Sequence, residues 1–166
     1  MDISGRPAVV TGGASGLGEA TARTLAENGA RVTIFDINEE RGQEVAHDMK
    51  GAFAAVDIAD EESVEKGFDI ASGAHGETRI LVNCAAIAHG ETTINKRGPH
   101  SLAHFERIIK VNLVGTFNCV RLAAHGMAAQ DPVNGDERGV IINTASVVAY
   151  EGQVGQVAYS ASKAGI

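Results

Sequence analysis

Ala8-Val9-Val10-Thr11-Gly12-Gly13-Ala14-Ser15-Gly16-Leu17-Gly18 decides the fold. A short β-branched run enters a glycine-rich turn, and a helical stretch follows from Gly16 to Asn28, with Gly29 placed as its C-terminal cap. Strand, tight turn and helix in this order aim backbone N–H groups and the positive helix end at an anion, typically a pyrophosphate. Glycine suits the turn because a Cβ would block both the turn and the approach of a phosphate. The spacing is T-G-x-x-x-G-x-G rather than G-x-G-x-x-G, and no Gly-Lys-Ser/Thr follows as a P-loop requires. Taken alone, such a cluster reads as readily as a turn with glycine caps.

The next segment removes that ambiguity. Arg31-Val32-Thr33-Ile34-Phe35 ends in Asp36. A dinucleotide site places an acid about 20 residues beyond its glycine turn to bind the adenosine ribose hydroxyls. An acid there repels a 2′-phosphate, so the expected cofactor is NAD rather than NADP. Further short apolar runs lie at 52–56, 80–82 and 140–142. They are nearly continuous and rich in branched residues, as strands covered on both faces are. Helices are expected after Asn38 and near Asp60, both with acidic residues in the first turn. A third, from Ser101 to Met127, carries Leu102, Phe105, Ile109, Leu113, Phe117, Val120 and Ala124 at helical spacing. Alternation of this kind predicts a single domain over 1–166, a Rossmann-type doubly wound parallel sheet in a three-layer α/β/α arrangement. Five strands are counted where the full double winding has six, and the sequence stops inside a helical stretch at Ile166. The expectation is therefore that the C-terminal part is missing.

Composition narrows the class. The 166 residues are 44% hydrophobic, with Lys+Arg 14 against Asp+Glu 21 and a net charge of −7. An acidic chain is a poor partner for nucleic acid or an anionic membrane. Cys84 and Cys119 sit in apolar stretches without neighbours at metal spacing and read as buried thiols of a reducing compartment. No signal pattern and no apolar run of about 18 residues is visible. The expected location is the cytoplasm, with the mitochondrial matrix as the alternative.

Three more segments carry candidate chemistry. Asn83-Cys84-Ala85-Ala86 ends the fourth strand, Thr144-Ala145-Ser146 follows the fifth, and Tyr159 and Lys163 stand four apart on one helix face. Ligands of open α/β sheets bind beyond the carboxyl ends of the strands, which directs Asn83 and Ser146 toward one crevice. Asn112 falls near the apolar stripe of the long helix, where an unpartnered amide would be costly. A phenol titrates near 10, too high for base catalysis at neutral pH, and a lysine cation one turn away favours the phenolate. Tyr159 is thus the candidate general base, and Ser146 can hydrogen-bond the reacting oxygen.

Thr11 to Gly18, Asp36, Asn83-Cys84-Ala85, Asn112, Ser146 and Tyr159-x-x-x-Lys163, in this order along the chain, resemble the short-chain dehydrogenase/reductase family. Residues 139–146, 151–163 and 112–118, with the polar loop Thr92 to His100, look like its type-2 3-hydroxyacyl-CoA dehydrogenase subgroup, also described as hydroxysteroid dehydrogenases. The resemblance implies an NAD-dependent oxidoreductase of fatty acid metabolism that interconverts a secondary alcohol and a ketone, 3-hydroxyacyl-CoA and 3-oxoacyl-CoA first. It implies that Gly12, Ser15, Gly16, Leu17, Gly18, Asp36, Asn83, Cys84 and Ala85 bind the cofactor, that Asp57 and Ile58 flank its adenine, and that Lys163 and Tyr159 meet its nicotinamide half. Asn112 would hold a water of a proton relay. Gln153 and Gln156, with Ser146 and Tyr159, would line the substrate cleft. Small-molecule substrates and a homo-oligomer, a tetramer in the full-length form, follow from the same likeness. Ala86 departs from the family, which has glycine there, and adds a methyl near the cofactor.

Two other readings stay open: a different alcohol substrate such as a steroid or sugar, and a non-catalytic dinucleotide-binding module. His100 and His104 stand four apart, but no third ligand or H-E-x-x-H pattern accompanies them, so no metal ligand is assigned.

Overall fold

The computed structural model describes residues 2–96, 98–133 and 135–166. Five strands form one parallel sheet: β1 (Pro7–Thr11), β2 (Arg31–Asp36), β3 (Ala52–Ala55), β4 (Ile80–Asn83) and, at the far edge, β7 (Val140–Asn143). Their order is β3-β2-β1-β4-β7. The chain therefore reverses direction across the sheet between β1 and β4, which opens a crevice above those two carboxyl ends. β5 (Ile94–Asn95) and β6 (Gly98–Pro99) form a separate antiparallel pair in the loop after β4.

Strand alternation divides the core. Val9, Phe35 and Leu81 point to one face, beneath Val64 and Ala71 of α3 (Glu61–His75) and Cys119, Ala123 and Met127 of α5 (Thr116–Ala129). Ala8, Val10, Val32, Ile34, Ile80 and Val82 point to the other, against Ala22 of α1 (Gly16–Glu27) and Val45 and Ala46 of α2 (Glu39–Asp48). A period of two thus fills both faces, giving the three layers.

Local signals fix the helix ends. The Asn38 side chain accepts from the Arg41 amide, and Asp60 from the Ser63 amide, each satisfying an orphan donor of the first turn. α1 stops at Gly29, whose φ of +88° places it in the left-handed region. Its N–H donates to Ala26 and the next N–H, of Ala30, to Leu25, the paired bonds of a Schellman close.

The long helix differs from its expected form. It runs as α4 (Leu102–Ile109), a π-helical stretch Lys110–Gly115, and then α5. The apolar periodicity continues through all three, so it does not mark the widened turn. Two short helices, α6 (Val148–Glu151) and α7 (Val157–Gly165), follow β7.

Candidate active site

A cavity of about 510 Å³ lies above the β1/β4 crevice. The turn after β1 supplies its floor through Gly12, Ser15, Gly16, Leu17 and Gly18. The backbone there is tightly folded. A Cβ on Gly12 would lie 2.8 Å from the Ala85 backbone, and one on Gly18 would lie 2.0 Å from the Gly12 carbonyl oxygen. The turn can close only without those side chains. A Cβ on Gly16 would meet nothing within 4 Å, so space is open in front of the α1 N-terminus. Ser15 makes no capping bond with its side chain there. An open space at a free helix N-terminus fits the pyrophosphate of a dinucleotide.

Asp36 bounds one end of this cavity. Its two carboxylate oxygens accept from the backbone amides of Ala14 and Asn38, each at 3.0 Å. Asp36 therefore also braces the glycine turn, a task its position at a strand end did not reveal. Asp57 and Ile58 line the cavity after β3. The Asn118 amide donates to the Ile58 carbonyl from α5, at 3.3 Å. Cys84, Ala85 and the departure residue Ala86 line the side after β4.

Asn83 lies lower. It is buried, accepts from the Thr11 hydroxyl and donates to the Asn143 side chain at 2.9 Å. Its side chain ties β1, β4 and β7 together and is absent from the cavity lining. The Thr11 hydroxyl in turn accepts from the Ala85 amide.

Asn112 sits in the π-helical stretch and is fully buried. Its carbonyl oxygen accepts from the Ile87 amide at 2.8 Å, and its amide nitrogen donates to the Ile87 carbonyl and to Ser162 Oγ. Ser162 Oγ donates to the Tyr159 carbonyl. Both side-chain amide hydrogens of Asn112 are thus occupied, and they join the cavity wall to α7. The core amide thus finds its partners 25 and 50 residues away.

Tyr159 and Lys163 lie on α7. The Lys163 ammonium is buried, donates to the Thr144 carbonyl at 2.6 Å and stands 5.7 Å from the centre of the Tyr159 ring. Burial pushes Lys163 below the ordinary lysine value, with the Cys84 sulfur acting the other way. Ser146 is half-buried in the loop between Thr144 and α6. Gln156 precedes α7 and is half-buried, whereas Gln153 is exposed.

Sequence reasoning missed Arg107 of α4 and Val111, which also line the cavity. Arg107 is the basic residue of that lining among the described residues. No local pattern could have marked it, because it reaches the crevice only through the packing of α4. His100 lies ahead of α4, so the i, i+4 relation to His104 is not a helical one.

Strand order, glycine turn and crevice define a Rossmann-like α/β domain. The model of the short chain dehydrogenase family matches residues 6–166, and the chain belongs to that family. It is 48% identical over 168 residues to a human protein named 3-hydroxyacyl-CoA dehydrogenase type-2, covering 99% of this chain and 64% of that one. A Drosophila melanogaster protein of the same name is 46% identical, with 99% and 66% covered. The crystal structure of 3-hydroxyacyl-CoA dehydrogenase type-2 from Mycobacterium avium superposes with a TM-score of 0.91 at 37% identity, covering 97% of this chain and 65% of that one. The chain thus spans a little under two thirds of the length of these relatives. Family membership implies a nicotinamide cofactor. No helix among the described residues is long and apolar enough to cross a membrane.

Proposed function

We propose that this protein is an NAD-dependent oxidoreductase that interconverts 3-hydroxyacyl-CoA and 3-oxoacyl-CoA. The observation that carries the chemistry is the buried Lys163 ammonium beside the Tyr159 ring, one helical turn away. The substrate class rests on the motif resemblance and on the names of the relatives. NAD rather than NADP rests on Asp36, whose negative charge at the cavity edge disfavours a 2′-phosphate.

The glycine turn and the α1 N-terminus would hold the pyrophosphate, Asp36 the adenosine ribose, and Asp57-Ile58 the adenine. When bound, NAD supplies the acceptor for the hydride leaving the carbinol carbon. Tyr159 takes the proton from the alcohol oxygen, and the fixed positive charge of Lys163 supports the negative phenolic oxygen that receives it. Ser146 orients the reacting oxygen by a hydrogen bond. Asn112 keeps Ile87 and α7 in register, so the phenol and the cavity wall hold one geometry. Gln153 and Gln156 border the substrate side. The working form is a homo-oligomer, a tetramer, in the cytoplasm or the mitochondrial matrix.

Initial rates with acetoacetyl-CoA, measured with NADH and separately with NADPH, test the reading. The expected result is turnover with NADH and a catalytic efficiency at least about tenfold lower with NADPH, a difference of ~1.4 kcal/mol. An NADPH preference removes the Asp36 argument, and loss of acetoacetyl-CoA turnover with NADH removes the substrate.

A further inference from the structure

Away from the cavity, three ligand-bearing side chains meet where the loop after β4 reaches α4. His89 and Glu91 stand two apart on that loop, and His104 lies in the first turn of α4. One ligand atom from each lies within 4.8 Å of the other two. His104 Nδ1 is 3.1 Å from Glu91 Oε2, and the His89 and His104 ring centres are 4.4 Å apart. We propose that His89, Glu91 and His104 bind a divalent transition-metal cation of the zinc kind.

The donor set selects the ion. Two imidazoles and one carboxylate suit Zn²⁺, Co²⁺ or Ni²⁺, whereas Ca²⁺ and Mg²⁺ favour oxygen ligands and Cu(I) favours sulfur. Bonds of about 2.0–2.2 Å to a tetrahedral ion set neighbouring ligand atoms roughly 3.4 Å apart. The His104–Glu91 pair already has that spacing, and His89, on an exposed loop position, closes the triangle. The site also has the outer support that ligating groups need. Glu91 Oε1 accepts from the Ser101 amide, which turns Oε2 toward the imidazoles. His100 is anchored by Nδ1 at 2.9 Å from the Ser101 carbonyl, and its Nε2 lies 3.7 Å from the same Oε2. His100 thus stands beside Glu91 and outside the ligand trio.

The location gives the ion a purpose separate from hydride chemistry. The Glu91 amide donates to the Gly155 carbonyl at 2.8 Å, and Glu91 bridges to Gln156, three residues before Tyr159. A cation held by Glu91 and His104 therefore fastens α4 to the segment that leads into α7. The role is structural, and it does not depend on which substrate the enzyme takes.

Cobalt and zinc titrations of the metal-free 166-residue chain test this. Co²⁺ should bind at one ion per chain with visible d–d absorption of a tetrahedral site, and Zn²⁺ should displace it. His89→Ala and His104→Ala should each weaken Co²⁺ at least about tenfold, while His125→Ala, outside the cluster, leaves it unchanged. Far-UV circular dichroism of each exposed-site variant confirms that the fold is retained. Absence of a one-to-one cobalt spectrum overturns the site. So does retention of affinity within about tenfold in either ligand variant. Acetoacetyl-CoA turnover is not the readout, so failure of the oxidoreductase reading leaves this result standing.

Discussion

β1 and β7 carry the two sides of the candidate active site, and their surroundings are unlike. All five residues of β1 are buried, with Val10 wholly so, while β7 is the edge strand of the sheet. The glycine turn after β1 is held by dense packing and by backbone that admits no Cβ. β7 and the segments after it add polar ties to the packing of α7 against α4: Asn83 to Asn143, Lys163 to the Thr144 carbonyl, and Asn112 to Ile87 and Ser162. The cofactor side is thus shaped by the hydrophobic core. The proposed catalytic side combines helix packing with individual hydrogen bonds, whose net worth is small but whose loss in a buried setting is costly.

The hardest break in that comparison is chemical. Tyr159→Phe removes one hydroxyl from the catalytic side and nothing from the cradle. Turnover should fall at least about a hundredfold, the lower range for a lost general base, while the NAD dissociation constant stays within about twofold. Steady-state kinetics beside calorimetric titration with NAD checks both; a matching loss of NAD affinity would mean the two sides are not separable.

Asn112→Leu tests the joint between the sides. It strands the Ile87 amide and carbonyl in a half-buried place at the cavity wall, and the expected cost is about 2 kcal/mol. Urea melts should show a lower midpoint with unchanged slope. A change below about 1 kcal/mol would show that Ile87 finds other partners.

A smaller effect sharpens the contrast through pH. Burial sets Lys163 below its ordinary value of 10.5. Between the lowered native value and 10.5, the unfolded chain binds more protons than the native chain. This group therefore makes stability rise with pH across that window. Lys163→Met should flatten that part of the stability-pH curve in denaturant melts. An unchanged slope would show that Lys163 titrates alike in both states.

Legibility in the sequence follows the range of the interactions. The strands of the large sheet were readable as short apolar runs, buried throughout in β1 and β4 but partly exposed in β3 and β7. Asn38 was readable as a cap because its partner is three residues away, and the same short-range bond makes Asp60 the cap of the helix expected near it. The glycine turn and Asp36 were readable through order and spacing. The π-helical stretch was not, since Leu102 to Ala124 keep one apolar rhythm across it. The hairpin of β5 and β6 lacks an apolar alternation and went unread. Asn112 could be flagged but not explained, and Arg107 could not be flagged. The His89–Glu91–His104 trio joins a loop to a helix, and helical spacing pointed instead to His100.

The widened turn at Lys110–Gly115 also has a consequence for how this helix tolerates change in length. An α-helix advances about 100° per residue, and one π turn accommodates one residue more than an α turn does. The stretch therefore works as a phase shifter: α5 is rotated about its axis relative to the direction α4 alone would dictate. Deleting one residue within the stretch would restore an unbroken α-helix and leave the side chains beyond it near their present faces, because the wide turn takes up that one residue. Asn118 would keep the Ile58 carbonyl, and Cys119 and Ala123 would stay in the core. A one-residue deletion elsewhere in the helix has no such slack and would turn everything after it by about 100°, so tolerance to a change in length is confined to the wide turn.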